Sequence, residues 1–276
     1  MVVQNIKTAG GTLAVDVLGS GPLVVCAHGM GDCRDVYAPF VESLVAQGYT
    51  VANMDTRGHG DSSTTFKQYG DLASVDDFLT IINELGKGPA VLVGNAFTTA
   101  SATIAASKEP DQVRGLILLA PFLRSPVNVV VAWLMPLLFK QPWGPLVWSM
   151  YAPTTWPGLG AQAKERAANT IRLLKRPGRW SAFYKTVCGA DHSTVAPYIN
   201  GVKCPALVVM GDKDPDFSDP AKEAGWVASN FKHATKLLLQ GIGHAPQLES
   251  PEAVNKAASE FLPKLRQQGA FGSSAL

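Results

Sequence analysis

No stretch of this sequence is long and apolar enough to cross a bilayer. The longest uninterrupted apolar run, Val129 to Phe139, falls well short of the ~20 residues a membrane helix needs, and it carries Pro136. Net charge is nearly absent too: 24 Lys and Arg stand against 22 Asp and Glu, with no polybasic run. That balance argues against nucleic acid or a membrane surface as a partner. Cysteine is sparse, and Cys26, Cys33, Cys188 and Cys204 lie far apart without a CxxC pair. A disulfide framework and a zinc site are therefore not expected, and a reduced, cytoplasmic protein is. Met1 to Lys7 lacks the charged-then-apolar order of a secretory leader. Internal repeats and long low-complexity segments are missing as well.

What is present is alternation. Val3–Thr8 and Thr12–Leu18 read as strands joined by Gly10-Gly11, a hairpin turn signal. Leu23–Ala27, Tyr49–Asp55, Ala90–Val93, Gly115–Ala120, Ala206–Met210 and Thr235–Gln240 read as further strands, several of them continuous apolar runs. Such runs suit strands buried on both faces of a parallel sheet. Helical spacing fills the intervals: Val36–Gln47, Leu72–Leu85, Phe97–Ser107, Pro220–Asn230 and Pro251–Leu265. The pattern predicts an α/β fold built from βαβ units. Residues 121–202 interrupt it with many prolines and five of the six tryptophans. The expected organisation is a core of residues 1–120 and 203–266, a helical cap over 121–202, and a frayed tail over 267–276.

Chemistry-bearing residues collect just after predicted strands. Gly94-Asn95-Ala96-Phe97-Thr98 ends a buried strand and opens a helix of small residues. His28-Gly29-Met30-Gly31 follows the third strand, and Asp55-Thr56-Arg57-Gly58-His59-Gly60-Asp61-Ser62 the fourth. Gly211-Asp212-Lys213-Asp214 follows the strand after the interruption, and Gly241-Ile242-Gly243-His244 follows the last strand. In this order and placement the landmarks resemble the α/β-hydrolase superfamily of serine hydrolases. Residues 94–98 are similar to its Gly-x-Ser-x-Gly nucleophile elbow, with Ala96 at the serine position and Thr98 in place of the usual glycine.

The resemblance implies a mostly parallel eight-stranded sheet flanked by helices, with an inserted cap. It implies His244 as general base, Asp214 as its orienting acid, and the backbone N–H groups of Met30 and Phe97 as oxyanion donors. Asp212, Asp216 and Asp219 remain competitors for the acid. Asp212, Asp214, Asp216 and Glu223 also match a calcium-loop spacing, but Phe217 stands where that loop requires glycine, so no metal is expected. His28 and His59 read as parts of structural turns, His192 and His233 as surface residues, and Arg57 as a brace between loops. A small hydrophobic organic substrate is expected, held partly by Trp133, Phe139 and Trp148 of the cap, with no cofactor.

Ala96 admits two readings. The first is a Ser-to-Ala inactivated form of a hydrolase acting on a hydrophobic ester, lactone or related acyl substrate, and the completeness of the other landmarks favours it. The second is a native alanine in a ligand-binding receptor or pseudoenzyme. Carbon–carbon bond hydrolysis is a neighbouring alternative. Gly94-Asn95-x-Phe97 is similar to the Gly-Asn-Ser-Met elbow of ring-cleavage-product hydrolases, although Ala245 stands where those enzymes often carry Trp.

Overall fold

A computed structural model describes residues 3–125 and 129–267. The sheet has eight strands: β1 (Val3–Thr8), β2 (Gly11–Leu18), β3 (Leu23–Ala27), β4 (Thr50–Met54), β5 (Ala90–Asn95), β6 (Val113–Leu119), β7 (Ala206–Gly211) and β8 (Ala234–Leu239). Their spatial order is β1-β2-β4-β3-β5-β6-β7-β8. Strand β2 runs against both its neighbours, and every other pairing is parallel. The hairpin pairs Thr8 with Gly11, as the Gly10-Gly11 turn demands.

The uninterrupted apolar runs are explained by what lies on each face. In β3, Leu23, Val25 and Ala27 point to one core and Val24 and Cys26 to the other. With period two and both faces covered, every position must be apolar. The first face is covered by α2 (Asp71–Leu85), α3 (Phe97–Lys108) and α9 (Pro220–Ser229), and the second by α1 (Ala38–Ala46) and α11 (Pro251–Gln267). The helix expected over Val36–Gln47 is divided. Arg34–Tyr37 forms a tight 3₁₀ turn, and α1 starts only where Pro39 takes the first helical turn, the place its missing N–H does no harm.

Between β6 and β7 the chain forms α4 (Val129–Phe139), α5 (Gly144–Tyr151), α6 (Gln162–Leu174), α7 (Arg179–Gly189) and the short α8 (Ala196–Ile199). This insertion is held by an aromatic cluster. Phe183 packs against Trp180, Trp148 and Phe139 at ring separations of 4.8, 5.0 and 5.9 Å. The cluster joins the core on the α1 and α11 side of the sheet. The short α10 (Pro246–Glu249) precedes α11. Gln267 closes α11, and the remainder of the expected tail lies outside the described residues. Among the described residues no helix is long and apolar enough to cross a membrane.

Candidate active site

A cavity of about 470 Å³ opens between the carboxyl ends of the central strands and the insertion, within the usual range for a small-molecule site. Ala96 sits in its floor with φ 55° and ψ −125°, a backbone state that L residues avoid and that costs about 1–3 kcal/mol. The neighbouring packing holds it there. A Cβ on Gly94 would stand 2.7 Å from the Thr99 nitrogen, so only glycine lets α3 leave β5 this abruptly. Thr98, the departure from a small residue, is tolerated because its hydroxyl is satisfied within the bend. It accepts from the Asn95 N–H at 2.9 Å and lies 2.8 and 2.9 Å from the Asn95 and Ala27 carbonyls. Ala96 itself donates its N–H to the Leu119 carbonyl at 3.0 Å.

Met30 and Phe97 both line the cavity beside Ala96. The Phe97 N–H opens α3, so no carbonyl of its own helix reaches it. The loop bearing Met30 presses on the bend: a Cβ on Gly29 would be 3.2 Å from the Ala96 methyl. Two histidines fasten that loop. His28 accepts from the Thr56 N–H at 3.0 Å and donates through Nδ1 to the Gly29 carbonyl at 2.7 Å. His59 accepts from the Gly31 N–H at 3.1 Å, and burial lowers its pKa to about 3, so it stays uncharged. Arg57 grips the buried Asp77 with forked bonds of 2.7 to 3.0 Å and holds the turn beneath them.

His244 faces the same cavity, with Nδ1 2.9 Å from Asp214 Oδ2 and 3.2 Å from Asp216 Oδ2. Asp214 is 2% exposed and accepts the Asp216 N–H at 3.0 Å on its other oxygen. Burial alone would push the His244 pKa down, but the Asp214 and Asp216 carboxylates outweigh it and hold it at about 9. Burial raises the Asp216 carboxyl, which also accepts the Tyr151 hydroxyl from the insertion. The other acids are engaged elsewhere. Asp212 accepts the Gly241 N–H at 2.6 Å, Asp219 caps α9 through the Lys222 N–H at 2.9 Å, and Glu223 pairs with Arg124. The calcium-loop spacing therefore has no common centre.

Among the described residues two clusters bring three potential metal ligands together: Asp32, Cys33 and Asp35, and Asp214, Asp216 and His244. The Arg166 guanidinium already bridges Asp32 and Asp35, and the second cluster is the histidine with its acids. Cys33 donates to Asp35 at 3.0 Å and lines a separate cavity, not this one.

Of the insertion residues expected to hold substrate, Phe139 and Trp148 line the cavity and Trp133 does not. Trp133 is 78% exposed. It lies about 200° around α4 from Met135, which together with Leu138 and Phe139 turns the apolar stripe inward. His192 needs the opposite correction, since it sits in the cavity wall and not on the open surface. His233 is exposed.

Two further residues escaped sequence reasoning. The Asn95 amide donates to the carbonyls of Leu119 and His244 at 3.1 and 2.9 Å, tying the bend to the histidine loop. Glu249 accepts the N–H groups of Gly243 and Ala245 at 2.9 and 3.0 Å, bracketing His244. The Glu249 carboxylate also takes the Gly158 N–H at 2.7 Å from the insertion. Only the spacing of Glu249 from His244 could have hinted at it.

Residues 24–257 match the sequence profile of the Alpha/beta hydrolase family. The chain is 35% identical to 2-(acetamidomethylene)succinate hydrolase of Mesorhizobium japonicum, covering 91% of each chain. It is 26% identical to (E)-2-((N-methylformamido)methylene)succinate hydrolase of Acinetobacter baylyi, over 88% of this chain and 91% of that one. In structure it resembles a malate-bound thermophilic esterase from Thermogutta terrifontis, with a TM-score of 0.78, 25% identity, and coverage of 95% of this chain and 97% of that one. The strained strand-to-helix bend, the eight-stranded sheet and the profile agree, and the chain belongs to the alpha/beta hydrolase family.

Proposed function

We propose that the cavity is the acyl-transfer site of a serine-type hydrolase for hydrophobic esters or lactones, with position 96 the nucleophile position. One observation carries the reading: Ala96 is held in a strained conformation in the floor of a cavity whose wall presents a carboxylate-paired imidazole. Strain of this kind clusters at functional sites. With serine at 96, His244 would take the hydroxyl proton as the oxygen attacks the substrate carbonyl. The oxyanion would receive the Met30 and Phe97 N–H groups, and His244 would return the proton to the leaving group. Asp214 would hold the imidazole's orientation. The insertion would act as a cap that keeps water from the acyl group.

Substrate class follows from the lining. The relatives' names describe succinate derivatives, yet among the described residues no Arg or Lys lines this cavity to pair with two carboxylates. Met30, Phe122, Met135, Leu138 and Val147 favour a neutral, largely apolar acyl chain. Asn95 gives carbon–carbon hydrolysis no particular support, because its amide is spent on the Leu119 and His244 carbonyls.

A methyl group cannot attack a carbonyl, so the chain with Ala96 forms no acyl-enzyme. Ala96→Ser should raise hydrolysis of 4-nitrophenyl esters by about 10³-fold or more, increasing with acyl length. A folded Ala96→Ser protein with no gain would overturn the reading. The receptor alternative rests on Ala96 itself, and it expects tight ligand binding without turnover in both forms.

A further inference from the structure

The insertion also clamps the loop that carries His244. Between the end of α5 and the 3₁₀ turn Pro157–Leu159 it meets the histidine and its acids at three points. The Thr155 carbonyl accepts the His244 N–H at 2.8 Å, and Gly158 donates its N–H to Glu249 at 2.7 Å. A Cβ on Gly243 would stand 2.4 Å from both the Thr155 carbonyl oxygen and the Pro157 ring, so the two segments are in close contact. The third point is a side chain: the Tyr151 hydroxyl donates to Asp216 Oδ1. The other oxygen, Oδ2, lies 3.2 Å from His244 Nδ1.

Both donors are fixed by their surroundings. Burial and the Asp216 charge push the Tyr151 phenol above its ordinary range, so it keeps its proton. Nδ1 faces two carboxylates, Asp214 at 2.9 Å and Asp216, so it carries hydrogen. Asp216 therefore accepts on both oxygens. Burial works against that state by raising the Asp216 carboxyl, and the Tyr151 hydroxyl opposes the rise. The other titratable groups acting on this pair are Glu249 of α10 and His192 of the insertion. We propose that Tyr151 is a positioning residue: its hydroxyl holds the Asp216 carboxylate turned toward His244 Nδ1, so the imidazole rests on two acids instead of one. For turnover this rests on the hydrolase reading; for the state of the imidazole it does not. Without the hydroxyl, Asp216 Oδ1 is buried with no donor, and the carboxylate takes up a proton or swings away. Either response makes His244 less basic.

The test titrates the His244 imidazole by NMR in the chain with Ala96. Asp216→Asn should lower its midpoint by about one pH unit, and Tyr151→Phe by about half as much or more. The phenyl ring keeps its place against Trp148, so packing is retained. Adding Tyr151→Phe to Asp216→Asn should lower the midpoint no further, because the hydroxyl acts through Asp216. An unchanged midpoint in Tyr151→Phe, or the same fall with Asn at 216, overturns the proposal. In the unaltered chain the Asp216 Cγ signal should be that of a carboxylate while His244 titrates. A protonated Asp216 over that range also overturns it, and this arm needs no substitution that could impair folding. In Ala96→Ser protein, Tyr151→Phe should move the kcat/KM pH profile for 4-nitrophenyl esters to lower pH together with the NMR midpoint. A lowered midpoint with an unmoved profile overturns the role in turnover. Should Ala96→Ser hydrolyse no ester, the acyl-transfer reading fails by itself, and the NMR titrations still decide about Tyr151.

Discussion

Below the cavity, directional bonds fix the position of each group: Asn95 to His244, Glu249 to the amides on either side of it, His28 and His59 to the Met30 loop, Arg57 to Asp77. Above it, the insertion has Phe183 at the hub of an aromatic cluster and two of its helices, α4 and α5, carrying Trp133, Leu137, Leu146 and Met150 exposed. The floor uses hydrogen bonds, which fix direction as well as distance; the proposed acyl transfer would demand that, because a misplacement of about 1 Å can cost 10²-fold. The roof uses dispersion and area, which are non-directional and fill a shape. Precision and adaptability are thus built from different residue types on opposite sides of one cavity.

Substitutions should break the two sides differently. Removing His244 from Ala96→Ser protein (His244→Ala) should cost about 10⁴-fold or more in kcat with a small change in KM, as steady-state assays would report. Arg57→Met should leave Asp77 buried and unpaired and cost about 3–5 kcal/mol of stability, measured by urea unfolding. An unchanged midpoint would show that the fastening of the floor is redundant.

A pH titration sharpens the same contrast. The His244 pKa is raised from 6.5 to about 9, so its proton stabilises the folded state fully below about pH 6.5. That contribution is lost as pH rises through about 9. Imidazole NMR should show the midpoint, and Asp216→Asn should lower it by removing one of the two carboxylates. On the proposed mechanism the base in Ala96→Ser protein is the deprotonated imidazole, so kcat/KM should climb with pH over the same interval. On the roof the effects should be smallest. Leu138→Ala should raise KM for long acyl esters severalfold with kcat within about twofold. Trp133→Ala should change neither KM nor stability by more than about 0.5 kcal/mol.

Much of the floor was legible in the residues. Apolar runs such as Leu23–Ala27 betray two buried faces, and Gly94 before Ala96 betrays a bend that admits no Cβ. The roof was less so. An all-apolar helix such as α4 has no polar face to orient it, so Trp133 and Phe139 look alike until packing chooses between them.

By itself the sequence determined the sheet, the order of its loops and the bend at 96, because period-two burial and turn sterics act over a few residues. Tertiary structure alone decided that Asp214, not Asp212 or Asp219, meets His244, that Asn95 and Glu249 hold that histidine, and that His192 enters the cavity on Asp71. Those partnerships join different loops and elements, some more than a hundred positions apart, and no local period encodes a contact of that span.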